Sequence, residues 1–192
     1  GPGFFDGIDR NKDGVATPQE LQQYIVKPTI VYSDRMRIEL GGKVVELVHP
    51  GENHSNDATV MVFPAERTAF ATEFIADALV ANNPRSLPSA CGPFDGSPLA
   101  DWIKSYRAVE DLDVDVIVTG HGPNFVDKAL VRETREFFED LRNDVAAGMA
   151  AGQSLEQLKE SVRLERYKDW ANYERLRSYN VEAAYRNLLL YR

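Results

Sequence analysis

Cysteine and histidine are nearly missing from this chain. Cys91 stands alone, and His49, His54 and His121 are its only imidazoles in 192 residues. A single thiol excludes an internal disulfide and any thiolate-rich zinc site. Cys91 lies in Ser-Ala-Cys-Gly-Pro with no electropositive neighbour to activate it, so it reads as an ordinary loop residue. No apolar run approaches the roughly 20 residues of a membrane span. Positive charge is short as well: 22 Lys and Arg stand against 30 Asp and Glu, a formal charge of −8. The basic residues are scattered among acids, which argues against nucleic acid, whose phosphates need clustered cations. Internal repeats and low-complexity tracts are absent. The opening Gly-Pro-Gly, residues 1–3, reads as a tag-cleavage scar, so the compartment is not legible from this end.

What is present is ordinary globular composition, 43% apolar and 27% charged, enough for one domain with an appendage. Residues 4–27 read as an acidic loop and a short amphipathic helix, which Pro28 ends. From Thr29 to Ala71 the pattern is β. Met36–Leu40 alternates like a half-buried strand, Gly41-Gly42 turns it into Lys43–His49, and the continuous apolar run Thr59–Phe63 suits a strand buried on both faces. Pro64–Arg67 then turns into Thr68–Ala71. Prolines and glycines crowd the stretch from Asn82 to Pro98, a connection of the kind that lines sites. Leu99–Val109 reads as a helix, Val114–Thr119 as a buried strand, and Asp127–Met149 as a long amphipathic helix stopped by Gly152. Ser154-Leu-Glu-Gln157 has the form of a capping box, and Val181–Leu190 is expected to be helical.

Two constellations carry chemistry. In the first, Asp9, Asn11, Asp13, Val15, Thr17 and Glu20 occupy positions 1, 3, 5, 7, 9 and 12 of an EF-hand-like loop, with Gly14 at position 6. Alternate oxygens point inward at a hard cation, and Glu20 closes the cage from the first turn of the following helix. A calcium site is expected there. With no second loop to pair with, its role is structural or weak rather than switching. An acidic turn that caps the helix is the competing account.

The second constellation is His54-Ser-Asn-Asp57, then Phe70-Ala-Thr-Glu73, then Gly120-His121-Gly-Pro123, each beside an apolar β-prone run. On these residues the chain resembles the second half of the metallo-β-lactamase superfamily, from about Pro28 onward. Gly152-Gln-Ser-Leu-Glu and Asn180-Val-Glu-Ala-Ala-Tyr185 resemble the helical tail of one of its hydrolase branches. Two departures stand out. The His-Ser…Asp spacing is one residue short, and Phe-Ala-Thr-Glu73 replaces a pattern like Phe-Ala-Gly-Asp, adding a methylene to the acidic ligand. The family's His-x-His-x-Asp-His segment, which supplies most ligands, occurs nowhere in the chain.

The resemblance implies an α/β (α+β) fold: half of an αββα sandwich, a mixed β-sheet covered by helices, with the EF-hand-like loop in front and a helical C-terminal tail. Residues 28–152 would form the half-domain and 153–192 the tail. It implies that His54, Glu73 and His121 are a partial zinc set (iron or manganese would also fit), with Asp57 as a hydrogen-bonding partner behind it. Zinc would bind only once the other half is supplied, and the chain alone would hydrolyse poorly. Plain loop histidines at 54 and 121, a solvated Glu73, a capping Asp57 and a surface Asp77 remain open alternatives; His49 is expected to pack at a strand end. The implied activity is hydrolysis of an ester, thioester, lactone or amide-type bond in a small molecule. The alternative is a non-catalytic calcium-binding half-domain that acts as a dimerisation module. Either way, an apolar sheet face should seek the missing N-terminal half or a second copy of the chain. Val44, Val45, Leu47, Val60, Val62 and Ile117 are the candidates for that face.

Overall fold

The computed structural model describes residues 8, 9, 11–24, 28–71, 75, 85–88, 97–120 and 125–191. The chain divides into two compact units, Gly1–Ser33 and Asp34–Arg192. The first contains the acidic loop and helix α1 (Pro18–Tyr24). Pro18 sits where a helix tolerates it, at the first position, whose N–H would be unpaired in any case.

The second unit is a sheet layered with helices. Among the described residues it has six strands in chain order: β1 (Arg35–Leu40), β2 (Lys43–Val48), β3 (Val60–Phe63), β4 (Thr68–Ala71), β5 (Val116–Thr119) and β6 (Phe125–Val126). Neighbours pair antiparallel except β4 and β5, which are parallel. That one parallel pairing needs a crossover, and α2 (Leu99–Glu110) lies within it. Then follow α3 (Lys128–Ala150), α4 (Leu155–Ser161), a 3₁₀ turn at Glu165–Tyr167 and α5 (Tyr173–Leu190). No described helix is long and apolar enough to cross a membrane.

The sheet's two faces differ. On one, Val48, Val60, Val62, Ala69, Ala71, Ile117 and Val126 are buried in a single core with α2 and α3, where Phe137, Phe138, Leu141 and Val145 are almost wholly enclosed. Phe138 meets Trp102 and Tyr106 edge-on at centroid distances of 6.2 and 5.3 Å. Phe137 meets Tyr167 in the same way at 5.1 Å, which ties the C-terminal region to α3. On the opposite face, Met36, Leu47, Met61, Phe70, Val118 and Phe125 pair in register across all six strands. All of them keep solvent exposure, Phe125 as much as 68%.

Several expectations change accordingly. Val60–Phe63 is buried on one face and half-buried on the other, although its apolar run suited burial on both. An uncovered but apolar face produces the same run of residues as a covered one. The alternating strand β1 is largely exposed on both faces, because it is an edge strand. Of the six residues proposed for the open face, Val45 and Leu47 lie on it. Val60, Val62 and Ile117 face the helices, and Val44 shares their side of the sheet by alternation from Val48. Strand β6 had no periodic signal. Helix α5 begins eight residues ahead of Val181, at Tyr173, after Asn172 turns the chain with φ +63°.

Helix ends follow their sequences closely. Asp127 caps α3 by accepting the Leu130 amide at 2.9 Å, and Ser154 with Gln157 forms the expected reciprocal capping box on α4.

Candidate functional site

Three strand ends meet along one row. Val60 at the start of β3, Ala71 at the end of β4 and Thr119 at the end of β5 are consecutive partners across the sheet. His54 precedes that row by six residues, while Glu73 and His121 each follow it by two. Adjacent strands are about 4.8 Å apart, so the described ends of β4 and β5 leave the sheet side by side, where open α/β sheets place their ligands. Glu73 and His121 themselves lie outside the described residues, as do Asp77 and Cys91. Of the expected zinc set, then, only His54 can be placed. It is exposed in the bend leading into β3, and Asp57 is exposed in the turn after it. His49 follows the end of β2, with Nδ1 2.9 Å from the Ala58 carbonyl.

Sequence reasoning missed the residues beneath His54. Asn53 and Ser105 are both fully buried, and their side chains bond to each other and to the backbone of the His54 loop. The available signal was Ser105 itself, a polar residue on the apolar stripe of α2 formed by Trp102, Ile103, Tyr106 and Val109.

In the front unit all six expected calcium positions are described. The Asp9 carboxylate accepts the Asp13 and Gly14 amides at 3.2 and 2.9 Å. Asn11 Oδ1 accepts the Asp13 amide at 3.0 Å, and Asp13 Oδ1 accepts the Val15 amide at 2.9 Å. Glu20 takes the Thr17 amide and hydroxyl at 3.0 and 2.8 Å, while Thr17 Oγ1 accepts the Glu20 amide at 3.3 Å. Gly14 has φ +85°, which glycine adopts without a Cβ penalty. The donor set is all oxygen and suits a hard cation. The side-chain oxygens are bonded to the loop's own amides, and among the described residues no three His, Cys, Asp or Glu side chains form a group able to hold a metal.

No protein-family model matches the sequence, and no curated protein matches it. Solved structures do. The stereoselective inverting sec-alkylsulfatase Pisa1 from Pseudomonas sp. matches with a TM-score of 0.64 at 15% identity, over 88% of this chain and 28% of that one. A double mutant of the same enzyme gives 0.65 at 17%. A metallo-β-lactamase from Pontibacter korlensis matches at 20% identity over 65% of this chain and 54% of that one, with a TM-score of 0.48. At such identities the alkylsulfatase likeness is one of fold. This chain spans about half of the lactamase and little more than a quarter of the alkylsulfatase. Its mixed α/β layering, among the described residues a six-stranded sheet with helices on one face, is a fold it shares with part of the alkylsulfatase.

Proposed function

We propose that this chain is the second half of a metal-dependent hydrolase of the metallo-β-lactamase type. The observation that carries the reading is the apolar row Met36–Leu47–Met61–Phe70–Val118–Phe125. A sheet with one face on its core normally turns polar residues outward; this one presents an apolar side chain on every strand. In the superfamily the two halves pack sheet against sheet, and this is the face the other half would cover. The alignment of Val60, Ala71 and Thr119 supports the same reading, because the strand ends that His54 precedes and that Glu73 and His121 follow in sequence share one row of the sheet.

Zinc, when bound, lowers the pKa of water to about 7 and polarises the bond to be cleaved. This chain's part is to hold one wall of that site. His54 would offer an imidazole from the loop before β3, Glu73 a carboxylate after β4, and His121 an imidazole after β5. The other wall needs the His-x-His-x-Asp-His segment, so the isolated chain binds catalytic zinc weakly. The substrate class is a small molecule with an ester, thioester, lactone or amide-type bond, and sulfate esters join the panel through the alkylsulfatase likeness.

We also assign calcium to the front loop, as a structural ion. The spacing of Asp9, Asn11, Asp13, Val15, Thr17 and Glu20 and their oxygen-only chemistry support it. Binding would exchange the loop's internal amide bonds for the cation.

The exposed row also admits the second reading, a non-catalytic half-domain that pairs with another copy of itself. The experiment is to co-purify the chain with a half-domain carrying His-x-His-x-Asp-His and to measure zinc and mass. A complex with tightly held zinc, lost on His54→Ala and on His121→Ala, is expected. A stable complex without zinc, or a homodimer that refuses the second half, would defeat the hydrolase reading.

A further inference from the structure

The loop that presents His54 is fastened from below to a helix distant in sequence. Asn53 Nδ2 donates to the Gly51 carbonyl at 3.2 Å and to Ser105 Oγ at 3.4 Å. The Ser105 hydroxyl donates to the Glu52 carbonyl at 3.0 Å. The Asn53 amide reaches the Ser55 carbonyl at 3.3 Å. Gly51 has φ +104°, and a Cβ there would lie 3.4 Å from Ser105 Oγ, so the backbone runs close against the hydroxyl. Among the described residues Asn53 Oδ1 is buried without a hydrogen-bond partner. An idle buried acceptor is a cost, and for filling space alone an apolar side chain would serve better. The amide therefore earns its place through its nitrogen, which closes the loop.

We propose that Asn53 and Ser105 are positioning residues that lock residues 51–55 onto α2 and so present His54 in one place before any partner half docks. The functional part of this rests on reading His54 as a metal-side residue. A ligand fixed in advance by groups behind it binds more tightly than one that must be ordered on binding. Because the lock is built wholly within this chain, it can be tested without the other half.

The test uses the full chain, isotopically labelled for NMR, as wild type, Ser105→Ala, Asn53→Ala and Ser105→Thr. Either alanine variant is expected to speed amide exchange at residues 53–55 about tenfold or more and to lower the order of the His54 ring. Exchange in β3 and β4 should stay as in wild type, and Ser105→Thr, which keeps the hydroxyl, should restore the order. Unchanged His54 ring order in both alanine variants would overturn the proposal. So would protection lost evenly through β3 and β4, which would mark a merely structural role. Cobalt(II) added to the wild-type chain together with a half-domain carrying His-x-His-x-Asp-His reports separately on the metal reading. Line broadening that includes the His54 ring supports that reading, and none at His54 in the complex overturns it while the loop lock stands.

Discussion

Asn187 holds the backbone on both sides of Pro98, where α2 begins. Its Nδ2 donates to the Ser97 carbonyl and its Oδ1 accepts the Leu99 amide, each at 2.9 Å. Leu99 is the first residue of α2, with an amide that has no partner within the helix, and the residue before it is Pro98, which offers no side-chain cap. A side chain from α5, 88 residues later, satisfies that amide in the interior of the fold.

Asn187→Ala should therefore destabilise the protein by about 2–6 kcal/mol, since two buried backbone groups lose partners at roughly 1–3 kcal/mol each. For a chain of this size that is a fall in melting temperature of at least about 4 °C. Asn187→Leu separates the causes, because it nearly restores volume but not hydrogen bonding. If Leu recovers most of the loss, packing rather than the amide was responsible.

Glu110 links α2 to α3. It accepts from Arg132 and from Arg135, each at 2.8 Å, and Arg135 also reaches Glu139 at 2.7 Å. Burial pushes the Glu110 carboxyl up, but the two guanidinium bonds outweigh it and hold it below its ordinary 4.5. A folded value under the unfolded one means stability present above about pH 4.5 and lost as pH falls through the folded value. Glu110→Gln should cost about 1.5–3 kcal/mol at pH 7, because the enclosed Arg135 loses one of its two carboxylates and keeps Glu139 alone. In urea melts at decreasing pH the gap from wild type should narrow below about pH 4.5. A gap constant down to pH 3 would refute the ion-pair account.

At Gly148 two effects oppose each other. Alanine is worth about 1 kcal/mol over glycine inside a helix. A Cβ there, however, would fall 2.3 Å from Leu158 Cδ2 and 2.7 Å from Gln153 Oε1. Leu158 is wholly buried, so its methyl cannot swing into solvent, and such overpacking costs about 1–3 kcal/mol. Gly148→Ala should be net destabilising by about 1 kcal/mol in chemical denaturation. A stabilised variant would show that α4 moves away freely.

Much of this architecture was legible in the residues because local rules decided it. Ser154 with Gln157, Gly41-Gly42 and the 3.6-residue stripe of α3 each point to one structure, and that structure forms. What could not be read depends on distant partners. Val60–Phe63 and the first three residues of Val116–Thr119 are apolar without a break, so periodicity could not say which face the helices cover. Phe125-Val126 is too short for a pattern and becomes a strand only because β5 lies beside it. In the candidate site, His54 carried a motif. Ser105, about fifty positions away and on another element, showed only as a polar residue breaking an apolar stripe, a signal that does not say which loop it bonds.

The front loop offers a direct titration. A single oxygen-lined loop with no paired partner belongs to the weak range of such sites, with Kd about 10⁻⁴–10⁻³ M. Calcium at about a hundred times Kd should stabilise the unit it binds by about 2.7 kcal/mol. Glu20→Gln removes the closing carboxylate and should abolish both the calorimetric heat and the stabilisation, and Asp9→Asn should weaken them. Silence of the wild-type chain at about 10 mM calcium would leave Asp9 and Glu20 as nothing more than caps for their own loop.

The exposed sheet face makes the sharpest demand. Met61, Phe70 and Val118 are neighbours in register at its centre, with Phe125 beyond them at the edge. Apolar surface of this extent on a monomer draws partners or aggregates. The isolated chain should therefore bind an apolar dye and sediment heavier than 21.6 kDa. Met61→Glu would place a charge mid-row on a residue that the helix core does not use. It should make the chain monomeric and suppress the dye signal with less than about 1 kcal/mol change in stability, as for surface substitutions. Val62→Glu, one residue along but facing the core, should instead prevent folding. If both variants behave alike, the two faces have been assigned wrongly, and with them the place where a second half would dock.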